Sequence, residues 1–587
     1  MTTEHYKDFI REAFLDPIRS VLIVDDDYPT FDEILNATIN EDGWLQTDLK
    51  KNWQKNQKRI ASMIASFRTP GRSLLVDIHD GQNVSLGAEL DSAAHLHQSD
   101  LLVIDFELDK TRPRDGIRAI EIIRRVSEND HFNLAMIHTI ENLDYAFYSV
   151  LAGLMNKSGE SITVESADEI KEKLEVLEDN HAGLRSKLIS SIGNAQYFYS
   201  RANCKTYIRD MFSGAQPFSY FKDLSTEYGI SKKDTLSILK YLLLEVEKGL
   251  TFWESDKAPA HLDWSDRTIK WIRSDSVFVA FSDKHKEENL LESALIALND
   301  WSPQPARLFL AKIRSVIDEF GVLAQSDALE PKYALAYWYD RLLTSDKQHQ
   351  KWLISESVAR HSDHLLTSVL KKVDDFALRL IGAERANGKP TEISNFRHRI
   401  DLTDAETIRR AQREHNAIVC SKPPHGWHLA TGHILKLNQE HWVCLSPLCD
   451  LVPSQMSQNL VRTFGDRLPF TAVKLHPIVK LEELTGIQTN RFLFLKIEGE
   501  IKAFGFNNPE YPDSSPYWQT LFAEKRGVFD GEDFKLRVRR TTKGARGLVS
   551  KASEALVVSQ LRYEYALNLM QKLSVSTTRV GLDFAGV

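Results

Sequence analysis

Three consecutive aspartates, Asp25, Asp26 and Asp27, end the apolar run VLIV near the start of the chain, and Asp105 ends a second apolar run, LLVI. Carboxylates gathered in one place repel one another and raise each other's pKa unless a cation compensates. Mg2+ suits such a set, because it takes oxygen ligands and commonly combines one or two carboxylates with phosphate oxygens and water. A third run, NLAMIHT, ends in Thr139, whose hydroxyl can donate a hydrogen bond to a phosphoryl oxygen. A divalent cation, a carboxylate nucleophile and a hydroxyl are the parts of a phosphorylation site.

The elements that must position these groups are short. VLIVDD, SLLVDIHDG, DLLVIDFEL and NLAMIHTI are β-rich apolar runs, with helical patterning such as DGIRAIEIIRRVSE between them. Continuous apolar strands separated by helices predict a parallel sheet covered on both faces. In such sheets ligands bind beyond the carboxyl ends of the strands, which is where Asp25, Asp26, Asp105 and Thr139 stand.

These residues resemble the receiver domain of bacterial response regulators. The likeness lies in VLIVDDD for the acidic pair, in DLLVIDFELDKTRPRDGIRAIEIIRR for the phosphoacceptor strand and its Asp-Gly helix start, and in NLAMIHT for the switch hydroxyl. It implies a flavodoxin-like fold in which Asp25 and Asp26 hold Mg2+, Asp105 accepts the phosphoryl group and completes the metal site, the backbone carbonyl of Glu107 adds a further ligand, and Thr139 senses phosphorylation. It also implies a histidine kinase or phosphotransfer protein as partner. The sequence departs from the family in a long insertion at 28–72 and in the late position of Asp115-Gly116. The lysine that follows the fifth strand of such domains has one candidate, Lys157 in MNKSGESITVES, which precedes the apparent strand SITVES instead of ending it. Without that lysine a phosphoryl group loses a charge-assisted contact, and a pseudo-receiver, folded but not phosphorylated, stands as the alternative to a working receiver.

The chain has 587 residues, 42% hydrophobic and 27% charged, which suits several folded domains. Its net charge of −8 argues against a protein that coats nucleic acid over its whole surface. Four cysteines cannot make a disulfide framework. The N-terminal stretch lacks a secretory apolar core, and the greasiest run, ILKYLLLEV, falls short of the ~20 residues needed to cross a bilayer. The expected location is the cytoplasm, with no membrane partner.

Residues 166–390 are mainly helical in pattern. Within them 221–249 carries a possible helix-turn-helix, with Ser231 as the cap of its second helix and Lys232 and Lys233 as candidate phosphate contacts; TIKWIRSDSVFVAFS would supply a wing. The simpler reading is two packed helices of a scaffold, and Trp253, Trp264, Trp271 and Trp301 read as core anchors.

From residue 391 to 587, alternation in GWHLATGHILKLNQEHWVCL and RFLFLKIEGEIKAFGF predicts strands, with a closing helix in EALVVSQLRYEYALNLMQKL, hence an α+β domain. Cys420, Cys444 and Cys449 lie close in sequence to His425, His428, His433 and His441, a composition zinc would use, but without the paired spacing of a zinc knuckle. KLRVRRTTKGARGLVSK, 535–551, holds seven Lys or Arg and no acid. It reads as a solvated or internally paired strand, with Arg537, Arg539 and Arg540 as the nucleic-acid contacts to test.

The expected architecture is therefore a receiver-like α/β domain over 1–165, a helical region over 166–390 and an α+β domain over 391–587. The expected function is phosphorelay-type signalling through partner binding, including other proteins of the same system, without catalytic turnover. The arrangement is similar to that of proteins from bacterial conflict and anti-phage systems. Two alternatives are a DNA-binding transcriptional response regulator and a Mg2+-dependent phosphoesterase.

Overall fold

The computed structural model describes residues 4–35, 38–39, 45–46, 53–69, 71–81, 99–157, 167–479 and 491–577, less 110, 113–114, 129–131, 254, 256, 260, 287–288, 330, 512–514, 532 and 546. The expected strand SITVES lies outside these residues, as do 36–37, 40–44, 47–52 and 70 of the 28–72 insertion. Two compact units divide the chain: 1–315 with 380–387, and 316–379 with 388–587.

The first unit is built on a seven-stranded sheet. Its strands are β1 (Ser20–Val24), β2 (Leu75–His79), β3 (Leu101–Ile104), β4 (Asn133–Thr139), β5 (Asp263–Asp266), β6 (Lys270–Arg273) and β7 (Val277–Asp283), in the order β2-β1-β3-β4-β7-β6-β5. The first five members of that order are mutually parallel and the last two join antiparallel. All residues of β3 and β4 are buried, as expected of central strands covered on both faces. Helix Ile117–Ser127 buries Ala119, Ile120, Ile122, Ile123 and Val126, and helix Leu143–Leu154 buries eight of its residues. The order is that of a flavodoxin-like fold, with the crevice at the point where the chain reverses its direction of winding, between β1 and β3.

The sheet expected to close by residue 165 does not close there. Its fifth parallel strand, β7, follows the helices Ala167–Asn180, Leu184–Ser190, Asn194–Ala202, Tyr207–Ser213, Ser219–Glu227 and Lys232–Lys248. These helices share one core with the sheet, in which Ile170, Leu174, Leu188, Phe198, Leu239 and Leu243 pack with Leu22, Ile104 and Phe147. The proposed wing is likewise corrected: its residues form β6 and β7, because VFVAF is apolar enough to be buried beside β4. Trp253, Trp271 and Trp301 are buried and Trp264 packs against the core, as anchors.

In the second unit the strands are β8 (His433–Leu437), β9 (Glu440–Cys444), β10 (Leu468–Pro477), β11 (Phe492–Ile497), β12 (Glu500–Gly505), β13 (Trp518–Ala523), β14 (Lys535–Gly544) and β15 (Gly547–Leu561). β9, β8, β15, β14, β13 and β10 pair antiparallel in that order, and β10 pairs back onto β9, closing a barrel. Period-2 alternation sends Leu435, Trp442, Cys444, Phe470, Ala472, Leu521 and Val538 into one core, while Ile434, Val443, Val473 and Leu475 pack with helix Tyr563–Thr577 in another. Among the described residues, no helix is long and apolar enough to cross a membrane.

Candidate functional site

The parallel pairing β2-β1-β3-β4-β7 brings the carboxyl ends of five strands to one edge. Asp25 follows β1 and donates its N–H to His79 of β2 at 3.0 Å, and Asp105 follows β3 and donates to Val24 of β1 at 2.8 Å. Thr139 ends β4 opposite Asp283 of β7, and the residue just after that strand, Lys284, donates its N–H to the Thr139 carbonyl at 2.9 Å. The backbone ladder alone therefore delivers Asp25, Asp26, Asp105, Thr139 and Lys284 to one crevice.

The side chains then converge. Asp25, Asp26 and Asp105 are all buried, and each offers an oxygen within 4.8 Å of the others. The Lys284 ammonium, 3% exposed, lies 2.8 Å from Asp25 Oδ2 and 2.5 Å from Asp105 Oδ2. Its Nζ also stands 5.8 Å from the Tyr28 ring centroid, in cation–π range. Asp25 Oδ1 accepts from the Asp27 N–H at 2.9 Å, which holds its carboxylate in place. Thr139 is fully buried, and its hydroxyl oxygen accepts from the Glu141 N–H at 3.1 Å.

Burial pushes the Asp105 carboxyl up, Lys284 pulls it down and Asp25 pushes it up again, leaving it at about 7. Burial acts to lower the Lys284 pKa, but the carboxylates of Asp105 and Asp25 outweigh that and hold it above the usual lysine range. His138, buried beside them on β4, is pushed down to about 3, first by burial and then by Lys284, so it stays neutral and adds no charge to the edge. With all three aspartates ionised, one lysine against three carboxylates leaves two negative charges. That residue is the charge a divalent cation would neutralise. Asp105 Oδ1 is buried and has no hydrogen-bond partner among the described residues. An all-oxygen donor set, a deficit of two charges and an unpartnered buried oxygen fit Mg2+.

Lys284 is the residue that sequence reasoning missed. Its signal, an apolar β-rich run VFVAF followed by SDK, was present, but more than a hundred residues, largely helical, separate it from β4. Lys157, the sequence candidate, lies exposed just after helix Leu143–Leu154. Glu107 follows Asp105 by two residues in the loop leaving β3, partly buried.

The Asp-Gly helix start has a steric cause. A Cβ on Gly116 would stand 2.1 Å from the Phe106 ring, so only glycine lets that ring close over the loop, while Asp115 Oδ1 accepts from the Ile117 N–H at 3.0 Å.

The other candidates fall elsewhere. Ser231 caps helix Lys232–Lys248 through the Asp234 N–H as expected, and Lys232 and Lys233 are exposed in its first turn. That helix buries Ile238, Leu239, Leu242 and Leu243 in the core of the first unit. Arg539 Nε lies 2.9 Å from Glu524, Arg537 Nε 3.6 Å from the same residue and Arg540 Nη1 2.7 Å from Glu440, so these three arginines are internally paired. Among the described residues, the metal-ligating atoms of the histidine and cysteine cluster do not converge, and Asp25, Asp26 and Asp105 form the one group that does. Cys444 is instead a buried hydrophobe of the barrel core, its thiol pushed up by burial to about 12.

Residues 17–183 match the family model described as "Response receiver domain", less than a third of the chain. No curated protein and no solved structure matches the chain. The N-terminal part is thus a receiver domain, with the response-regulator type of signalling role that this family carries.

Proposed function

We propose that the receiver domain is phosphorylated on Asp105 and that the helices inserted before β7 read the modification. The observation that carries this is the position of Lys284 between Asp25 and Asp105. It supplies the cation whose apparent absence from the sequence argues for a pseudo-receiver. Asp25, Asp26 and Asp105, with the Glu107 carbonyl, would hold Mg2+, which screens phosphoryl charge during transfer.

Asp105 Oδ2 is engaged by Lys284 and Oδ1 has no partner among the described residues, so the fold does not tie up both oxygens and the carboxylate can supply the nucleophile. It forms the new P–O bond as the donor's bond to phosphorus breaks, and the departing group takes up a proton. A phosphohistidine of a kinase or phosphotransfer protein is a suitable donor. The Lys284 ammonium can then pair with a phosphoryl oxygen, and the Thr139 hydroxyl can donate to another. Thr139 leads through Asn142, whose side chain caps helix Leu143–Leu154, to Phe147 and Tyr148. Phe147 meets Phe281 of β7 with centroids 5.4 Å apart, and Tyr148 stacks on Phe198 of the inserted helices at 5.6 Å. A shift at Thr139 therefore reaches the inserted helices through packed side chains.

The test is hydrogen exchange on the full chain with Mg2+ and beryllofluoride, with Asp105→Asn as control, beside intact-mass analysis after incubation with acetyl phosphate. Protection around Asp25, Asp105 and Thr139, and a base-labile phosphoryl adduct, both absent from the variant, are expected. Neither signal in the wild-type protein would refute the proposal. Sustained phosphate release without a stable adduct would instead indicate a phosphoesterase.

A further inference from the structure

The interior of the second unit's barrel changes character along its length. At one end the inward positions are Phe470, Ala472, Leu521 and Val538, all buried and apolar. Continuing the same alternation, the inward positions become Lys474 and His476 on β10, Gln519 on β13 and Arg540 on β14, with Glu440 on β9, and these line an open cavity of about 600 Å³. That volume lies within the ~300–1,000 Å³ usual for small-molecule sites, and barrel mouths are a frequent place for them.

The charges are arranged with a surplus. Glu440 is shared by Lys474, at 2.5 Å, and Arg540, at 2.7 Å. Lys543, on the exposed tip of β14, also lines the cavity and has no ion-pair partner among the described residues. Three cations against one carboxylate leave two positive charges, in a chain whose net charge is −8. A phosphate monoester carries about −1.5 to −2 at neutral pH. The wall also holds a flat surface: Tyr517 is half exposed, its ring 5.9 Å from that of buried Trp442. His476 Nε2 is a buried ring nitrogen with no partner among the described residues.

We propose that the barrel mouth binds a nucleotide, its phosphate on Lys543, Arg540 and Lys474 and its base against Tyr517. The cationic surplus selects a dianionic phosphate over a neutral ligand, and the aromatic wall selects a phosphate that bears a ring.

The test is isothermal titration of the full-length protein with AMP, ribose 5-phosphate and adenosine, repeated with Lys543→Ala and Tyr517→Ala. Both side chains are substantially exposed, and unchanged thermal melting will show that the variants are folded. AMP should bind at least ten-fold more tightly than either fragment. Lys543→Ala should weaken AMP about ten-fold with little effect on adenosine, and Tyr517→Ala should bring AMP down to the level of ribose 5-phosphate. Absence of AMP binding at millimolar concentration would overturn the proposal. So would AMP affinity that neither variant changes, which places binding elsewhere, or equal affinity for AMP and ribose 5-phosphate, which removes the base from the recognition.

Discussion

Replacing Lys284 by Met tests whether this one ammonium holds the acidic edge together. The side chain is 3% exposed and touches two buried carboxylates, at 2.5 and 2.8 Å. Removing one partner of a buried ion pair costs about 3–5 kcal/mol, because the remaining charge is left uncompensated. At about 2 °C per kcal/mol for a unit of this size, the calorimetric transition of the first unit should fall by roughly 6–10 °C at pH 8. The pH dependence gives the sharper test. The folded pKa of Lys284 is raised, so its own stabilisation is complete below the unfolded lysine value and is lost only as pH rises through the folded one. It is therefore constant between pH 5.5 and 8, and any change there comes from the acids. Asp105 titrates at about 7, and loss of Lys284 moves it higher still. At pH 5.5 the variant accordingly buries a protonated Asp105 and should lose much less stability than at pH 8. Saturating Mg2+ should recover part of the loss at pH 8 by restoring positive charge. A fall below about 2 °C at pH 8, or an equal fall at both pH values, would refute the reasoning.

Mg2+ and the Asp105 proton compete, so the Mg2+ dissociation constant should drop about ten-fold per pH unit up to about 7 and level off above it, a trend that titrations between pH 5.5 and 8 will show or exclude. Gly116→Ala forces a methyl group to within 2.1 Å of the Phe106 ring and should cost about 1–3 kcal/mol or more, read as a lower melting temperature at unchanged secondary structure. Thr139→Ala removes the hydrogen bond that the Glu141 N–H donates to the Thr139 hydroxyl oxygen, for about 1 kcal/mol. The same substitution should abolish beryllofluoride-induced protection in helix Leu143–Leu154 while leaving Mg2+ affinity near wild type; retained protection would remove Thr139 from the relay.

Local pattern was enough for part of the site. Apolar runs ending in acids place Asp25, Asp26 and Asp105 at strand ends, and a parallel sheet brings strand ends to one edge, so these residues and the fold class were legible without coordinates. The same alternation signalled the strands of the barrel, because period-2 burial is written residue by residue. What the sequence could not show was which strand completes the first sheet. β7 is separated from β4 by a long helical insertion, and strand pairing is a matter of hydrogen bonds between segments, which carry no mark of their partner in the linear order. Only the tertiary structure placed Lys284 between Asp25 and Asp105. It likewise turned Arg537, Arg539 and Arg540 from an apparent basic run into partners of Glu524 and Glu440, since the acids that neutralise them arrive from other strands. Barrel closure decided the rest: it gathers Glu440, Lys474 and Arg540, from three different strands, into one mouth because antiparallel pairing fixes which inward side chains share a level.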